Sequence, residues 1–132
     1  MSYAVDTHGL VWFFEGNARL GANAKAILET TAEALVLPAI VIAEACWMIE
    51  RGKTSIPSFA AFFAAIDADT RFQMTPLDRA IVEKSNSLTA ITEMHDRQIV
   101  ATTLLLIASD KTASLITHDA IITASGCVPT VW

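Results

Sequence analysis

The chain has 132 residues, of which 53% are apolar, and its formal net charge is −5. That length is typical of one domain with its own core, so residues 1–132 are predicted to form a single domain. The acidic balance excludes a broad basic surface that binds nucleic acid by neutralising phosphates, but it permits an enzyme whose acidic site divalent cations neutralise.

Targeting and redox features indicate a cytoplasmic protein that does not enter a membrane. The most apolar stretch, Ala34–Ile49, contains Pro38 and Glu44 and is shorter than the roughly 20 residues that span a bilayer. The sequence does not open with a basic segment followed by an apolar one, so no signal peptide is expected. Cys46 and Cys127 lack the spacing of metal ligands and are expected to be reduced thiols.

In chain order, short apolar segments alternate with segments of helical periodicity. The first is a strand at Tyr3–Val5, which a helix at Leu10–Phe14 follows. Further strands are predicted at Leu35–Leu37, Arg71–Met74, Ser114–Thr117 and Val128–Val131. Further helices are predicted at Asn23–Thr31, Pro38–Glu50, Ile56–Ile66, Asp78–Leu88, Asp96–Ile107 and Ala120–Ala124, with Thr89–His95 as a connector.

This alternation predicts the fold class. Strands separated by helices pair in parallel, and the helices then cover both faces of the sheet. A short and fully apolar strand such as Leu35–Leu37 suits burial on both faces. We therefore expect an α/β fold, a three-layer α/β/α sandwich with a mostly parallel sheet of four to five short strands.

Two aromatic groups are expected to pack into the core. Phe59, Phe62, Phe63 and Ile66 recur at helical spacing and so share one face of a helix. A contact with a partner chain is the alternative role for that face. The cluster at Trp12–Phe14 is also predicted to be core.

Four carboxylates stand out because of their positions. Asp6 ends the first strand, and Asp119 follows the fourth. Asp96 begins an apolar helix, where the helix dipole favours a negative charge. Glu44 lies inside a helix with no other charge for more than two turns, on an apolar face where a lone carboxylate is costly to bury.

A structural role is the alternative for three of these acids, because Asp6, Asp96 and Asp119 each suit a helix N-cap. The same three lie at the edge where parallel sheets bind ligands. Carboxylates gathered there raise one another's pKa, and a divalent cation removes that conflict. Ligation by oxygen alone favours Mg²⁺ or Mn²⁺ over zinc, and such ions assist phosphoryl transfer.

The ordered set of motifs resembles the PIN domain family, and more closely the VapC-type toxin ribonucleases of toxin–antitoxin pairs. The matching segments cover nearly the whole chain and are Val5–Trp12, the helix with Ala43-Glu44, His95–Thr102 and Thr117–Ile122. The resemblance implies a Mg²⁺- or Mn²⁺-dependent endoribonuclease that hydrolyses RNA phosphodiester bonds. It implies that the catalytic and metal-binding cluster consists of Asp6, Glu44, Asp96 and Asp119.

The resemblance also implies a homodimer and a cognate antitoxin that packs in an apolar groove and approaches the acidic site. Thr7 and Thr117 look like hydroxyls that steady the metal ligands. Arg97 is a candidate contact for substrate phosphate or a partner for a site carboxylate.

A basic rim around the site is the last expectation drawn from these residues. Its candidate members are Arg51, Lys53 and Arg71, and few other basic residues lie near the motifs.

Three other functions are left open by the sequence. A PIN-like fold retained for protein binding would be catalytically silent. The pairs His95-Asp96 and His118-Asp119 suit a His/Asp-ligated metal phosphohydrolase, although such enzymes are all-helical. An aspartyl-phosphate site would need a lysine after a late strand, whereas Lys111 precedes the fourth strand.

Overall fold

The computed structural model describes residues 1–110 and 112–132, so Lys111 lies outside the described residues. Its strands are β1 (Ser2–Val5), β2 (Ala34–Pro38), β3 (Phe72–Thr75), β4 (Ala113–Ile116) and β5 (Thr130–Val131). They form one sheet in the order β3-β2-β1-β4-β5, and every neighbouring pair is parallel.

The helices that connect and cover these strands all occur between consecutive strands of the described chain. They are α1 (Thr7–Glu15), α2 (Ala22–Thr30), α3 (Ala39–Glu50), α4 (Phe59–Asp67), α5 (Arg79–Asn86), α6 (Met94–Asp110) and α7 (Ala120–Ser125). Within the described part of the chain, none of them is long and apolar enough to cross a membrane.

Burial along β2 shows that both faces of the sheet are covered. Leu35, Val36 and Leu37 are all buried, and successive side chains of a strand point to opposite faces. Helices must therefore lie on both sides of β2. The predicted α/β sandwich is confirmed, and its sheet has five parallel strands.

Capping side chains set the starts of α1 and α4. The Asp6 carboxylate accepts a hydrogen bond from the backbone N–H of Gly9 at 2.7 Å, and the Ser58 hydroxyl caps α4 in the same way at 3.1 Å. These bonds satisfy amide groups that have no partner inside the helix. Consequently α1 begins before the predicted Leu10, and α4 begins after the predicted Ile56.

The start of α6 differs from the prediction in a way that matters for the site. The helix begins at Met94, so the predicted connector Thr89–His95 ends earlier. The Glu93 carboxylate accepts a hydrogen bond from the backbone N–H of Asp96 at 2.8 Å. Asp96 therefore lies in the first turn and is not the N-cap, which leaves its carboxylate free for another role.

The α4 aromatic face is only partly core. Phe62 is fully buried and packs edge-on against Phe14, whose ring centroid lies 5.9 Å away. Phe59 and Phe63 are 47% and 43% exposed, so the prediction that they are core residues is wrong. Only one side of α4 meets the core, which leaves these two rings at the solvent. The Trp12–Phe14 cluster packs against the core in a half-buried position.

The strand order creates a reversal beside β1. The chain runs from β1 through β2 to β3 on one side, and β4 and β5 then occupy the other side. In open parallel sheets, ligands bind outside the carboxyl ends of the strands at such a reversal. Asp6 directly follows β1 and Asp119 lies just beyond β4, so both acids stand at the predicted position.

Candidate metal-dependent active site

Asp6 is the most enclosed acid of the site, with 7% of its surface exposed. Burial raises the pKa of its carboxyl, while hydrogen bonds from the Thr117 hydroxyl and the Gly9 amide and the nearby His8 and His118 imidazoles oppose that rise. The bond to Gly9 fixes the carboxylate at the carboxyl end of β1. Asp6 is thus a helix cap as well as a candidate site acid.

Asp119 is joined to Asp6 through a buried hydroxyl. Thr117 is 1% exposed, and its Oγ1 accepts a hydrogen bond from the backbone N–H of Asp119 at 3.1 Å. The Asp119 carboxylate caps α7 by accepting from the Ile122 amide at 2.8 Å. Because Thr117 contacts both acids, the ends of the two central strands are held in register with each other.

Glu44 projects from the middle of α3 toward these strand ends. Its Oε1 accepts a hydrogen bond from the Thr7 hydroxyl at 2.8 Å, and its Oε2 lies 3.5 Å from Nδ1 of His95. Its side chain is 32% exposed, so the carboxylate is only partly buried although it lies on the apolar helix face that the sequence predicted. The apolar face of α3 lines an open cleft, which lets the carboxylate keep contact with solvent.

The pKa of Asp96 depends on the charges of the other acids in the cluster. Burial and the charges of Asp119, Glu93, Glu44 and Asp6, in that order, raise its pKa to about 6. A carboxyl is affected in this way only by acids close to it. The four predicted site acids therefore converge, although they come from segments far apart in the sequence.

A cleft of about 780 Å³ opens in front of this cluster. Its lining includes the acids Asp6, Glu44 and Asp96 together with Thr7 and His95. Asp119 does not line the cleft, but its charge contributes to raising the pKa of Asp96. A volume of this size admits a small ligand or a short stretch of a polymer.

The donor set fits a hard divalent cation. In the residues that the structure describes, no three His, Cys, Asp or Glu side chains are arranged closely enough to hold an ion as they stand. The converging acids nevertheless offer only oxygen atoms, and they raise the pKa of Asp96. A divalent cation would relieve that repulsion, and oxygen ligands are those that Mg²⁺ and Mn²⁺ prefer.

A sequence model of the PIN domain matches residues 3–124, which contain all four of these acids. The chain belongs to the PIN domain family. This membership confirms the resemblance that the motifs indicated. The parallel sheet and the family together exclude the all-helical His/Asp phosphohydrolase.

Solved structures share the fold of this PIN domain. VapC20 of Mycobacterium tuberculosis, described as a Sarcin-Ricin loop cleaving toxin, has a TM-score of 0.66 and 17% identity, with 94% of this chain and 95% of that chain covered. VapBC2 from Rickettsia felis, bound to a DNA fragment from its promoter, has a TM-score of 0.70 and 14% identity, with 99% and 98% covered. No curated protein matches the chain. At these identities the likeness establishes the fold.

An aromatic cluster adjoins Asp6 in this PIN domain. The ring of His118 stacks on Trp132 at a centroid distance of 4.8 Å, and Trp12 contacts both His8 and His118 at 5.2 and 5.1 Å. Trp132 lies so close to Gly21 that a Cβ there would approach its ring to 2.5 Å. The two imidazoles are therefore held beside Asp6 by packing.

Two predicted basic contacts lie elsewhere. The Arg97 Nε donates to the backbone carbonyl of Ile91, so this guanidinium braces the chain before α6 instead of pairing with a site carboxylate. Arg71, at the amino end of β3, pairs with Asp69 at 2.6 Å and donates to two backbone carbonyls, one in the last turn of α2 and one just after it. The expectation that Arg71 belongs to the rim is therefore wrong.

Two residues of the site were missed by the reasoning from sequence. Glu93 caps the backbone of α6, lies 3.3 Å from His95 and raises the pKa of Asp96. Its signal was its position three residues before Asp96, which is the spacing of a side chain that caps a helix. His95 lies between the carboxylates of Glu93 and Glu44, and its adjacency to Asp96 had suggested only a different metal site.

Proposed function

We propose that this protein is a Mg²⁺- or Mn²⁺-dependent endoribonuclease that acts in the cytoplasm as the toxin of a toxin–antitoxin pair. The observation that carries the proposal is the convergence of four acids at the strand reversal of a PIN domain, reported by the raised pKa of Asp96. The name of VapC20 supports RNA as the substrate, since that protein has the same fold and is described as cleaving the Sarcin-Ricin loop.

In this mechanism, the chain's own residues hold and orient the reacting groups. The carboxylates of Asp6, Glu44, Asp96 and Asp119 would bind the cation. When bound, the cation supplies positive charge to the phosphodiester and activates a water molecule for attack. The hydroxyl of Thr7 fixes Oε1 of Glu44, while Oε2 lies 3.5 Å from Nδ1 of His95.

Thr117 has the matching role on the other side of the site. Its hydroxyl contacts Asp6 and the backbone of Asp119, so it sets the separation of two acids that come from different strands. Such outer contacts orient metal ligands in proteins and are commonly worth 10- to 100-fold in metal affinity or activity, as an order of magnitude.

A homodimer and an antitoxin complete the proposal. The exposed rings of Phe59 and Phe63 are apolar surface that a partner chain could cover. The VapBC2 complex, which shares the fold, supports the antitoxin partner. We expect the antitoxin to limit RNA cleavage by covering the cleft.

The decisive experiment is thermal unfolding with EDTA, Mg²⁺ or Mn²⁺, followed by an RNA cleavage assay. Wild type, Asp6→Asn and the surface control Asp67→Asn are compared. A ligand that binds only the folded state raises the midpoint, so metal should stabilise wild type and Asp67→Asn but not Asp6→Asn. Cleavage should follow the same pattern, and Asp6→Asn should be at least as stable as wild type in EDTA because the Asp6 charge is buried.

A PIN-like binding module is the second candidate, because no ligand set is preassembled among the described side chains. It predicts that none of the three proteins responds to metal at millimolar concentration and that none cleaves RNA. Undiminished cleavage by Asp6→Asn would contradict the assignment of this residue even if the enzyme class were right.

A further inference from the structure

An acidic ribonuclease needs a source of affinity for its polyanionic substrate. The chain has 9 Lys and Arg residues against 14 Asp and Glu residues. Among the residues that the structure describes, three basic side chains form ion pairs with nearby acids, and these are Lys25, Arg71 and Arg79. The positive charge that remains for the substrate must therefore be local.

Two cations line the cleft itself. Arg51 and Lys53 are both part of its wall, and neither forms an ion pair within the described residues. The end of α3 places them together. Gly52 has a φ of +65°, and the backbone N–H of Lys53 donates to the carbonyl of Met48 at 2.9 Å. This left-handed glycine turn ends the helix and directs the chain back along the cleft.

An exposed indole accompanies the two cations. Trp47 lines the same cleft with 57% of its surface exposed, and the guanidinium of Arg51 lies 3.6 Å from the centre of its ring. The cation–π contact orders both side chains before a ligand binds, so binding costs little further side-chain entropy. Aromatic faces combined with basic groups are how proteins bind single-stranded nucleic acid without reading its sequence.

We infer that Trp47, Arg51 and Lys53 form a strand-binding wall, at which single-stranded RNA stacks a base on Trp47 and places phosphates against Arg51 and Lys53. This inference rests on the proposed ribonuclease function and adds the element that holds the substrate. The wall supplies affinity and leaves the chemistry to the acids.

The geometry of α3 sets the distance between the wall and the acids. Glu44, Trp47 and Arg51 follow one another at intervals of three and four residues, so they share one helix face. Seven residues of helix advance about 10 Å, and a stacked strand advances about 3.4 Å per nucleotide. Trp47 is therefore about one nucleotide from the phosphodiester at Glu44, and Arg51 is about three nucleotides from it.

The test measures binding of a fluorescein-labelled oligouridylate as a function of salt, in the Asp6→Asn background, which removes cleavage. For single strands, each phosphate contact contributes about 0.7 to the slope of log affinity against log salt. Arg51→Ala and Lys53→Ala should each reduce the slope by about that amount. Trp47→Ala should weaken binding about tenfold, and Trp47→Phe should restore most of it because the stacking face returns.

Matched controls remove the same charge elsewhere. Arg79→Ala and Lys25→Ala each remove one cation whose partner is an acid on its own helix, and neither residue lines this cleft. Both should keep the wild-type affinity and slope. Returned to the native Asp6 background, the wall variants should raise the KM for RNA and leave kcat nearly unchanged.

The outcomes separate this inference from the proposed function. If wild type cleaves RNA with metal but the wall variants bind and cleave as it does, the inference is overturned and the ribonuclease assignment stands. If those variants change the oligomeric state by sedimentation instead, the wall is a contact with a second copy. If wild type neither binds nor cleaves RNA, both proposals are wrong.

Discussion

The pKa values of carboxyls are shifted in opposite directions at the two ends of the sheet. At the amino end of β3, Asp69 receives hydrogen bonds and charge from Arg71, which lower the pKa of its carboxyl. At the carboxyl ends of β1 and β4, burial and neighbouring acids raise the pKa of Asp96 to about 6. The first arrangement stabilises the fold, whereas the second costs stability and is retained where a ligand can relieve it.

Neutralising one carboxylate at each end should therefore give opposite results, and this is the largest effect expected. Asp96→Asn should reduce RNA cleavage by more than about 100-fold. Mutation of residues that only hydrogen-bond a metal ligand already lowers activity or metal affinity about 10- to 100-fold, and loss of a ligand should cost more. Asp96→Asn should also raise the unfolding midpoint in EDTA because a repelled charge is gone. Asp69→Asn should lower the midpoint and leave cleavage per folded molecule unchanged.

Either reversal would break the comparison. If Asp96→Asn unfolds at a lower temperature than wild type in EDTA, the raised pKa does not reflect repulsion. If Asp69→Asn loses cleavage while its circular dichroism stays native, the amino end of the sheet takes part in function.

Removing the cation at the structural end should give the largest loss of stability. Arg71→Met deletes hydrogen bonds to Asp69 and to the carbonyls of Leu28 and Thr31. The loss of a partly buried pair that also joins α2 to β3 should lower the free energy of unfolding by about 2–3 kcal/mol. Urea denaturation measures it, with Arg79→Met as the exposed control that should change stability by less than about 0.5 kcal/mol.

The sequence was sufficient to predict the acids at strand ends and the rim cations Arg51 and Lys53, but it was insufficient for two other cations. Asp6 and Asp119 follow short apolar strands, and the carboxyl ends of parallel strands meet at one edge, so pattern and topology together placed them. Arg71 precedes its strand and therefore had to lie at the opposite edge, a distinction that the prediction did not use. Arg97 follows Asp96 directly, but adjacent helical residues do not face the same way.

Local capping and turns decide two features that hydrophobic periodicity does not predict. The start of α6 is set by the Glu93 carboxylate, which accepts a hydrogen bond from the backbone N–H of Asp96. Glu93 therefore caps the helix in place of Asp96. Where Lys53 lies depends on the left-handed conformation of Gly52 after α3. Both are decided by single hydrogen bonds in the folded chain, so hydrophobic periodicity contains no record of them.

The hydroxyl of Thr7 offers a smaller test of how the functional end is organised. Thr7→Val keeps the shape of a buried side chain and removes the hydrogen bond to Glu44. Cleavage should fall about 10- to 100-fold, as is usual when a group that orients a metal ligand is lost. Thr7→Ser should restore it, and a Thr7→Val enzyme with wild-type cleavage at limiting metal would show that Glu44 needs no such orientation.

The pH dependence of stability should give the smallest effect and should again differ between the ends. The pKa of Asp96 in the folded state, about 6, lies above its ordinary value of 3.8, so the folded protein takes up this proton first. In EDTA, the cost of the charge is present above about pH 6 and disappears as the pH falls toward 4, a gain on the order of 1–2 kcal/mol after screening by solvent. Asp69 has a lowered pKa, so its contribution to stability is lost only at pH values below 3.8.

Thermal unfolding of wild type and Asp96→Asn between pH 7 and pH 4 measures this difference. The midpoint of wild type should rise on acidification, and that of Asp96→Asn should rise less. If the unfolding midpoints of the two proteins change equally with pH, the neighbouring acids do not raise the pKa of Asp96.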